Sequence, residues 1–167
     1  AALIEPLSIG VYAVAQSIPM AGAAIGILGA GPIGLSVLLA ARAAGAARIY
    51  ATDPIEPRRT AAAGAGAVWT GDPGRADVVA AVAEREPLLL DAVFECCGQQ
   101  AALDQGVRLL KPGGALMLVG IPEEARVSFD IEQIRRRELR LQNVRRQNEC
   151  VRAAIEAVAE GRMAPGF

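Results

Sequence analysis

Short apolar runs alternate with longer segments of helical periodicity along most of the chain. After an opening helix over 3–18, the pattern predicts six strands, each followed by a helix or a helical turn. The predicted strands are 24–28, 48–52, 67–70, 89–95, 115–119 and 138–143. The predicted helices that follow them are 32–44, a segment from Pro54 to Gly64 or Gly66, 75–85, 99–110, 130–136 and 149–159. Such alternation predicts an α/β fold, a doubly wound Rossmann sheet of six parallel strands in the order 3-2-1-4-5-6, with helices on both faces.

The last predicted strand differs from the others in its pattern. Leu139 and Leu141 alternate with Arg140 and Gln142, whereas the first and fifth strands are continuously apolar. Alternation is typical of a half-exposed strand, so we expect strand 138–143 at the sheet edge. The segment Lys111–Gly114 before the fifth strand predicts a turn.

Three glycines follow the first strand directly and open the next helix. Gly29, Gly31 and Gly34 form a Gly-x-Gly-x-x-Gly pattern. Gly29 permits the tight turn, Gly31 lets the backbone approach a pyrophosphate, and Gly34 lets the helix pack against the strand. Pro32 suits the first helical turn, whose free N–H groups attract phosphates. The alternative is an ordinary strand–helix turn, but strand, spacing and helix together favour a dinucleotide site.

A carboxylate closes the second predicted strand. Asp53 lies about 20 residues beyond Gly34, where an acidic residue accepts hydrogen bonds from ribose hydroxyls. Its charge would repel a 2′-phosphate, which favours NAD over NADP. Arg58 and Arg59 weaken that preference, because arginines just past this strand can receive a phosphate. Alternatively, Asp53 caps the helix that begins near Pro54.

Composition and charge narrow the function further. The chain is 53% hydrophobic and 4% aromatic with a formal net charge of −1, which gives no electrostatic footprint for nucleic acid or membrane. There is no histidine, and the three cysteines, Cys96, Cys97 and Cys150, have no metal-ligand spacing. We therefore expect a cytoplasmic protein with reduced thiols, which holds no metal itself and binds its cofactor without turnover.

Five segments resemble the coenzyme-binding domain of the medium-chain zinc-dependent alcohol and polyol dehydrogenases, among them sorbitol and threonine dehydrogenases. They are Glu5–Val11, Gly29–Gly34, Thr52-Asp53 with Arg58, Phe94–Gly98 and Leu118–Pro122. The resemblance covers nearly the whole chain. It implies a dinucleotide-binding domain over 1–167, in which 1–20 is a helix linking to a catalytic domain outside the chain and 21–167 is the Rossmann core. We expect a fragment of a longer enzyme, with the return to that other domain beginning near Met163–Phe167.

The resemblance also implies roles for single residues. Amides of Gly31–Ile33 would meet the pyrophosphate, Asp53 the adenosine ribose and Arg58 the adenine. The turn that starts at Cys96 would border the adenosine half of the cofactor. The nicotinamide half would be held by Val119, Gly120, Ile121, Val144 and Arg145.

Two of the implied roles concern catalysis. Glu5 would lie beside the catalytic zinc and its water, and Arg145 would reach the substrate hydroxyls or the cofactor. Alternatively, Glu5 caps the first helix and Arg145 is a solvent-facing charge. Arg146 stands where polyol enzymes commonly carry an aromatic residue, which leaves the substrate open.

The sequence therefore predicts a domain that holds NAD for hydride transfer from a small secondary alcohol or polyol, with zinc ligands outside this chain. We expect a homodimer through strand 138–143. Two other hypotheses remain open. An S-adenosylmethionine-dependent methyltransferase also uses a glycine turn and a segment like Leu110–Gly114, and a non-catalytic NAD-sensing module would need no zinc domain.

Overall fold

The structure, a computed structural model, describes residues 2–164; Ala1 and residues 165–167, the end of the predicted return segment, lie outside the described residues. Within 2–164 the chain forms one sheet of six parallel strands in the order β3-β2-β1-β4-β5-β6. Its strands are β1 (Ala24–Leu28), β2 (Arg48–Thr52), β3 (Trp69–Gly71), β4 (Leu90–Glu95), β5 (Leu110–Leu118) and β6 (Arg140–Asn143). The predicted doubly wound order is confirmed.

Seven helices of the described residues cover both faces of this sheet. They are α1 (Ile4–Ala15), α2 (Pro32–Ala43), α3 (Glu56–Ala65), α4 (Val78–Ala83), α5 (Gln100–Leu109), α6 (Ile131–Arg136) and α7 (Val151–Ala159). The first three helices and α7 share one buried apolar cluster. The other three pack into a second cluster on the opposite face. None of the helices in 2–164 is long and apolar enough to cross a membrane.

Strand β1 lies at the centre of the sheet and is buried along its whole length. Ile25 and Ile27 face one helical layer, while Ala24 and Leu28 face the other. Two covered faces explain why this strand is apolar without alternation. Because β1 pairs with β2 on one side and β4 on the other, the connections diverge there and leave a crevice at the carboxyl ends of the strands.

Helix α1 packs closely on α2 through a glycine. A Cβ on Gly10 would lie 2.4 Å from the carbonyl carbon of Ser36. The predicted helix over 3–18 is correct in type, but it ends at Ala15. This helix therefore lies against the Rossmann core rather than apart from it.

Two predicted details are wrong at the far side of the sheet. Residues 111–114 belong to β5, and the pairing register between β4 and β5 shifts there. Gly113, at φ +76°, donates its N–H to the carbonyl oxygen of Arg137 at 2.7 Å, so the extra residues form an irregularity inside the strand. Strand β6 is at the edge as predicted, but all four of its residues are exposed, and only Leu139, just before it, is buried.

Candidate functional site

A cavity of about 610 Å³ opens at the carboxyl ends of β1, β2 and β4. Its lining includes seven residues that the sequence predicted as cofactor contacts: Gly29, Gly31, Pro32, Ile33, Asp53, Arg58 and Cys96. The other residues of the lining are Leu28, Thr52, Pro54, Pro73, Cys97, Gln99, Ala101, Ala102 and Gln105. The volume is in the range of small-molecule sites.

The glycine turn forms one wall of this cavity. Gly29 has φ +97°, a conformation that favours glycine, and a Cβ on Gly34 would lie 1.9 Å from the carbonyl oxygen of Gly29. Gly34 does not line the cavity; it lets α2 begin directly above the end of β1. Gly31 is the N-cap of α2 and has no side-chain capping bond. The N–H groups in the first turn of any helix have no intrahelical acceptor, and here no capping side chain binds them either. They can therefore receive an anionic group.

Asp53 joins β2 to the glycine turn. Its side chain is buried, with the residue 2% exposed. The atom Oδ2 accepts the N–H of Ala30 at 3.0 Å, and Oδ1 accepts the N–H of Ile55 at 2.9 Å. The alternative that Asp53 caps α3 is wrong, because Ile55 is the N-cap of that helix. The carboxylate instead fixes the turn through backbone amides, and each oxygen keeps capacity for a further donor.

The two arginines after β2 differ in their partners. Arg59 Nη1 donates to the carbonyl oxygen of Asp53 at 2.7 Å and lies 3.7 Å from Asp72 Oδ2. Arg58 is half-exposed and lines the cavity, with Nη1 3.6 Å from Asp53 Oδ2. Arg59 thus holds neighbouring loops, and Arg58 is the arginine that a ligand in the cavity would meet.

Two adjacent thiols lie opposite the glycine turn. Burial raises the pKa of the Cys96 thiol well above its usual value, and the nearby charge of Glu95 adds to the effect. Burial and then the hydrogen bond with Glu95 raise the pKa of Cys97 to about 12. Both thiols are therefore neutral near pH 7. They supply weakly polar lining and are poor nucleophiles.

The predicted nicotinamide-side residues are outside the cavity, on the neighbouring loops at the ends of β5 and β6. Val119 and Gly120 donate their N–H groups to the carbonyl oxygen of Glu95 at 2.9 and 2.8 Å. Ile121 is 90% exposed. Val144 is buried and donates its N–H to Leu118, and Arg145 beside it is exposed. These residues share the carboxyl edge of the sheet but form an open surface there.

Glu5 is exposed in the first turn of α1, away from the cavity lining. The alternative that Glu5 caps this helix is wrong, because α1 begins at Ile4 and its N-cap is Leu3. Among residues 2–164 no group of three or more histidine, cysteine, aspartate or glutamate side chains could hold a metal ion. The described residues therefore do not fit a zinc ion by themselves.

Sequence reasoning missed the wall of the cavity formed by the first turns of α5 and by the loop after β3. The missed residues are Pro73, Ala101, Ala102 and Gln105. Only the position of these residues in the fold, and not their chemistry, could have predicted that they line the cavity. Each follows the carboxyl end of a strand that flanks the crevice, but none carries a distinctive side chain.

The chain is similar to proteins of one enzyme family. A family model described as zinc-binding dehydrogenase matches residues 32–160. Sorbitol dehydrogenase of Bacillus subtilis is 32% identical over 163 residues, which are 96% of this chain and 46% of the relative. The chain spans about half the length of the curated relatives it matches.

Solved structures agree with this similarity. A protein of Sinorhizobium meliloti 1021, assigned as a zinc-binding dehydrogenase and bound to NADP, superposes with a TM-score of 0.91 at 34% identity. That match covers 98% of this chain and 49% of the other. The 2R,3R-butanediol dehydrogenase of Bacillus subtilis superposes with a TM-score of 0.89 at 33% identity, over 96% of this chain and 46% of that one.

These matches favour the dehydrogenase hypothesis over the methyltransferase one. They agree with the predicted motifs, with the strand order and with the position of the glycine turn at the crevice. The chain therefore belongs to the zinc-binding dehydrogenase family, and it corresponds to the coenzyme-binding domain of the medium-chain zinc-dependent alcohol and polyol dehydrogenases.

Proposed function

We propose that this chain binds NAD in the carboxyl-end cavity and holds it for hydride transfer from a small secondary alcohol or polyol in an intact zinc-dependent dehydrogenase. The observation that carries the proposal is the arrangement of the glycine turn, the amino end of α2 and Asp53 around one cavity. When bound, the cofactor supplies the hydride-accepting ring. The chain supplies binding and orientation.

The proposed contacts follow from position along the cavity. Within Gly31–Ile33, the N–H groups of Gly31 and Ile33 bind the pyrophosphate, since they lie at the positive end of α2 and Pro32 has no N–H. Asp53 accepts the adenosine ribose hydroxyls, with Arg58 along the adenine and Cys96 on the opposite wall. The nicotinamide half extends over the open loops, where Val119, Gly120, Ile121, Val144 and Arg145 orient the ring.

The choice between NAD and NADP depends on two opposed charges. A 2′-phosphate near Asp53 would meet a buried carboxylate, which favours NAD. The same phosphate would also meet Arg58, 3.6 Å from that carboxylate. The related structure at 34% identity binds NADP. We propose NAD, because Asp53 is fixed by two amides whereas Arg58 is half-exposed and can move away.

Calorimetric titration of the chain with NAD and with NADP tests this proposal. We expect tighter binding of NAD, and we expect Asp53→Ala to weaken NAD binding by roughly 1–3 kcal/mol, the cost of losing a buried polar partner. Asp72→Ala is the matched control, because Asp72 pairs with Arg59 without an assigned cofactor contact. Equal affinity for both nucleotides in the unmodified chain would refute the role of Asp53.

The catalytic roles are proposed for the intact enzyme alone. There, Glu5 would lie near the zinc and its water, Arg145 would reach the substrate or the cofactor, and the zinc ligands would come from outside this chain. Residues 1–20 link to that catalytic domain and 21–167 hold the cofactor. We expect no oxidation of sorbitol or 2,3-butanediol by this chain with NAD, as followed by NADH absorbance. Turnover with added zinc would contradict this division.

Dimerisation through β6 is the proposed mode of self-association. All four residues of β6 are exposed at the sheet edge, and Leu141 is an apolar side chain among them. Such an edge can pair with its copy across a two-fold axis. Sedimentation velocity should show a dimer that Leu141→Lys converts to a monomer. A monomer in the unmodified chain at all concentrations would remove the proposal.

A further inference from the structure

Glu95 is the buried carboxylate at the carboxyl edge that the proposed contacts do not use. It is the last residue of β4, pairs in register with Leu28 at the end of β1, and is 2% exposed. Within residues 2–164 no arginine or lysine forms an ion pair with it. A buried carboxylate without a cation is costly unless hydrogen bonds hold it, so the donors that bind Glu95 define its role.

The side chain of Glu95 holds the loop on the adenosine side of the cavity. Its atom Oε1 accepts the N–H of Cys97 at 2.7 Å and the N–H of Gly98 at 2.6 Å. Two consecutive amides that converge on one oxygen fix the backbone of this turn. The turn also touches the glycine motif, because a Cβ on Gly29 would lie 3.0 Å from the Cβ of Cys97.

The backbone of Glu95 holds the loop on the nicotinamide side. Its carbonyl oxygen accepts the N–H groups of both Val119 and Gly120. One residue is therefore bonded to the two loops that flank the proposed dinucleotide path. The carboxylate is bonded to the adenosine-side loop, and the carbonyl oxygen is bonded to the nicotinamide-side loop.

The two loops also contact each other directly, backbone against backbone. A Cβ on Gly98, at φ +72°, would lie 2.3 Å from the carbonyl oxygen of Ile121. A Cβ on Gly120 would lie 2.3 Å from the nitrogen of Gly98 and 2.7 Å from Glu95 Oε2. The two backbones therefore leave no space between them for even one methyl group. Because they are packed so closely, we expect a shift of the Cys97–Gly98 turn to move the Gly120–Ile121 segment.

We propose that Glu95 is a positioning residue that couples the two halves of the cofactor cleft, with its carboxylate fixing the adenosine-side turn on which the nicotinamide-side loop rests. This inference rests on the proposed dinucleotide binding. Glu95 touches no cofactor atom in this account. It acts through the amides of Cys97 and Gly98, and its removal should disturb the far loop as well as the near one.

The test compares two ligands and two buried glutamates in the full 167-residue chain. Glu95→Ala should raise the dissociation constant of NADH, measured by its fluorescence, about tenfold, and that of AMP about threefold or less, since AMP reaches the near loop alone. Glu95→Gln keeps an acceptor oxygen and should stay within about threefold of the unmodified chain for NADH. The matched control is Glu86→Gln at the opposite end of the sheet, which should leave both constants unchanged.

A second measurement does not depend on any ligand. Amide hydrogen exchange of residues 119–122 in the ligand-free chain should accelerate in Glu95→Ala and not in Glu86→Gln. If Glu95→Ala does not fold, Gly98→Ala decides the question. Its Cβ would lie 2.3 Å from the carbonyl oxygen of Ile121 and would separate the loops at a residue without an assigned cofactor contact, so it should accelerate exchange at 119–122 and weaken NADH more than AMP.

The outcomes separate the two proposals. If the unmodified chain binds neither NADH nor NADPH, the proposed function fails, and the exchange measurement alone decides the coupling. If Glu95→Ala lowers the melting temperature as Glu86→Gln does but leaves the affinities and the exchange of 119–122 unchanged, Glu95 is merely structural and the inference is overturned.

Discussion

The two ends of the sheet each hold two buried or partly buried carboxylates, but hydrogen bonds from loop amides hold the first pair, whereas side-chain cations are bonded to the second. At the carboxyl end, Asp53 and Glu95 accept hydrogen bonds from loop amides. At the amino end, Glu86 pairs with Arg48 and accepts the hydroxyl of Tyr50 at 2.8 Å. Asp91 there pairs with Lys111 and accepts the N–H of Ala24 at 2.8 Å.

The difference indicates how one fold provides a ligand cavity at one end of the sheet and stabilising ion pairs at the other. Amide-held carboxylates shape loops without filling the space beside them, so a cavity remains. Carboxylates paired with side-chain cations instead tie neighbouring strands and the segment before β4 together. We expect substitutions at the carboxyl end to change cofactor binding and substitutions at the amino end to change stability alone.

The largest expected effect is steric and lies at the carboxyl end. Gly34→Ala places a Cβ 1.9 Å from the carbonyl oxygen of Gly29, so α2 or the turn has to move. We expect a loss of more than about 3 kcal/mol in the free energy of unfolding, and loss of NADH binding. Chemical denaturation measures the change in the free energy of unfolding.

A helix glycine elsewhere is the control for that variant. Gly64 in α3 has nothing within 4 Å of an added Cβ. Gly64→Ala should therefore stabilise the chain by roughly 0.5–1 kcal/mol, because alanine loses less conformational entropy in a helix. Similar effects of the two substitutions would show that the close approach at Gly34 is not what matters.

The next effect concerns stability at the amino end. Glu86→Gln removes the charge that pairs with Arg48 and weakens the acceptor of Tyr50. Because Glu86 is buried and Arg48 is about half-exposed, we expect a loss of roughly 1–2 kcal/mol in the free energy of unfolding. NADH affinity should stay unchanged. A weaker affinity would show that the amino end also contributes to cofactor binding.

The loss of stability at acid pH should come largely from the amino end. The hydrogen bond from Arg48 lowers the pKa of Glu86 despite its burial. Burial opposes ionisation of Asp91, but hydrogen bonds from Lys111 and Ala24 outweigh it, and its pKa is lowered from 3.8. Both groups bind protons more weakly in the folded chain. Their contribution is present above the ordinary carboxyl pKa and is lost as the pH falls through the lowered values.

Tyr50 gives the opposite sign at high pH. Burial first, and then the bond to Glu86, raise the pKa of Tyr50 from 10.0 to about 12. The folded chain therefore holds this proton more tightly, and the associated stability is lost as the pH rises from 10 towards 12. Unfolding curves measured across pH should show both declines. Tyr50→Phe should flatten only the alkaline one, and an unchanged alkaline slope would contradict the assignment.

The smallest effect is a change in cofactor preference. Arg58→Ala removes the half-exposed cation beside Asp53 and should weaken NADP binding about threefold to tenfold more than NAD binding, since both nucleotides lose the adenine contact but NADP alone loses the partner of its 2′-phosphate. Arg59→Ala has a different expected result, because Arg59 holds the backbone of Asp53. It should lower stability and weaken both nucleotides alike, as competition titrations with NADH would report.

Much of this architecture is readable from the sequence, because its signals are local. The apolar run of β1, the three glycines and Asp53 predicted the strand order and one wall of the cavity. The sequence of residues 111–114, Lys-Pro-Gly-Gly, predicts a turn from its composition, whereas pairing of Leu110 and Ala115 with β4 on either side keeps the segment within β5. The importance of Glu95 was also hidden. Its carboxylate accepts amides two and three residues away, but its carbonyl oxygen accepts those of Val119 and Gly120, which the fold alone brings near.

Hydrogen exchange with and without saturating NAD tests the central claim most directly, since it maps binding onto the two ends of one sheet. We predict slower exchange at 29–35, 53–59 and 96–102, with no change at 84–91, where the amino-end ion pairs lie. Absence of protection at 29–35, or protection mainly at 84–91, would contradict the assignment of the cofactor to the carboxyl-end cavity.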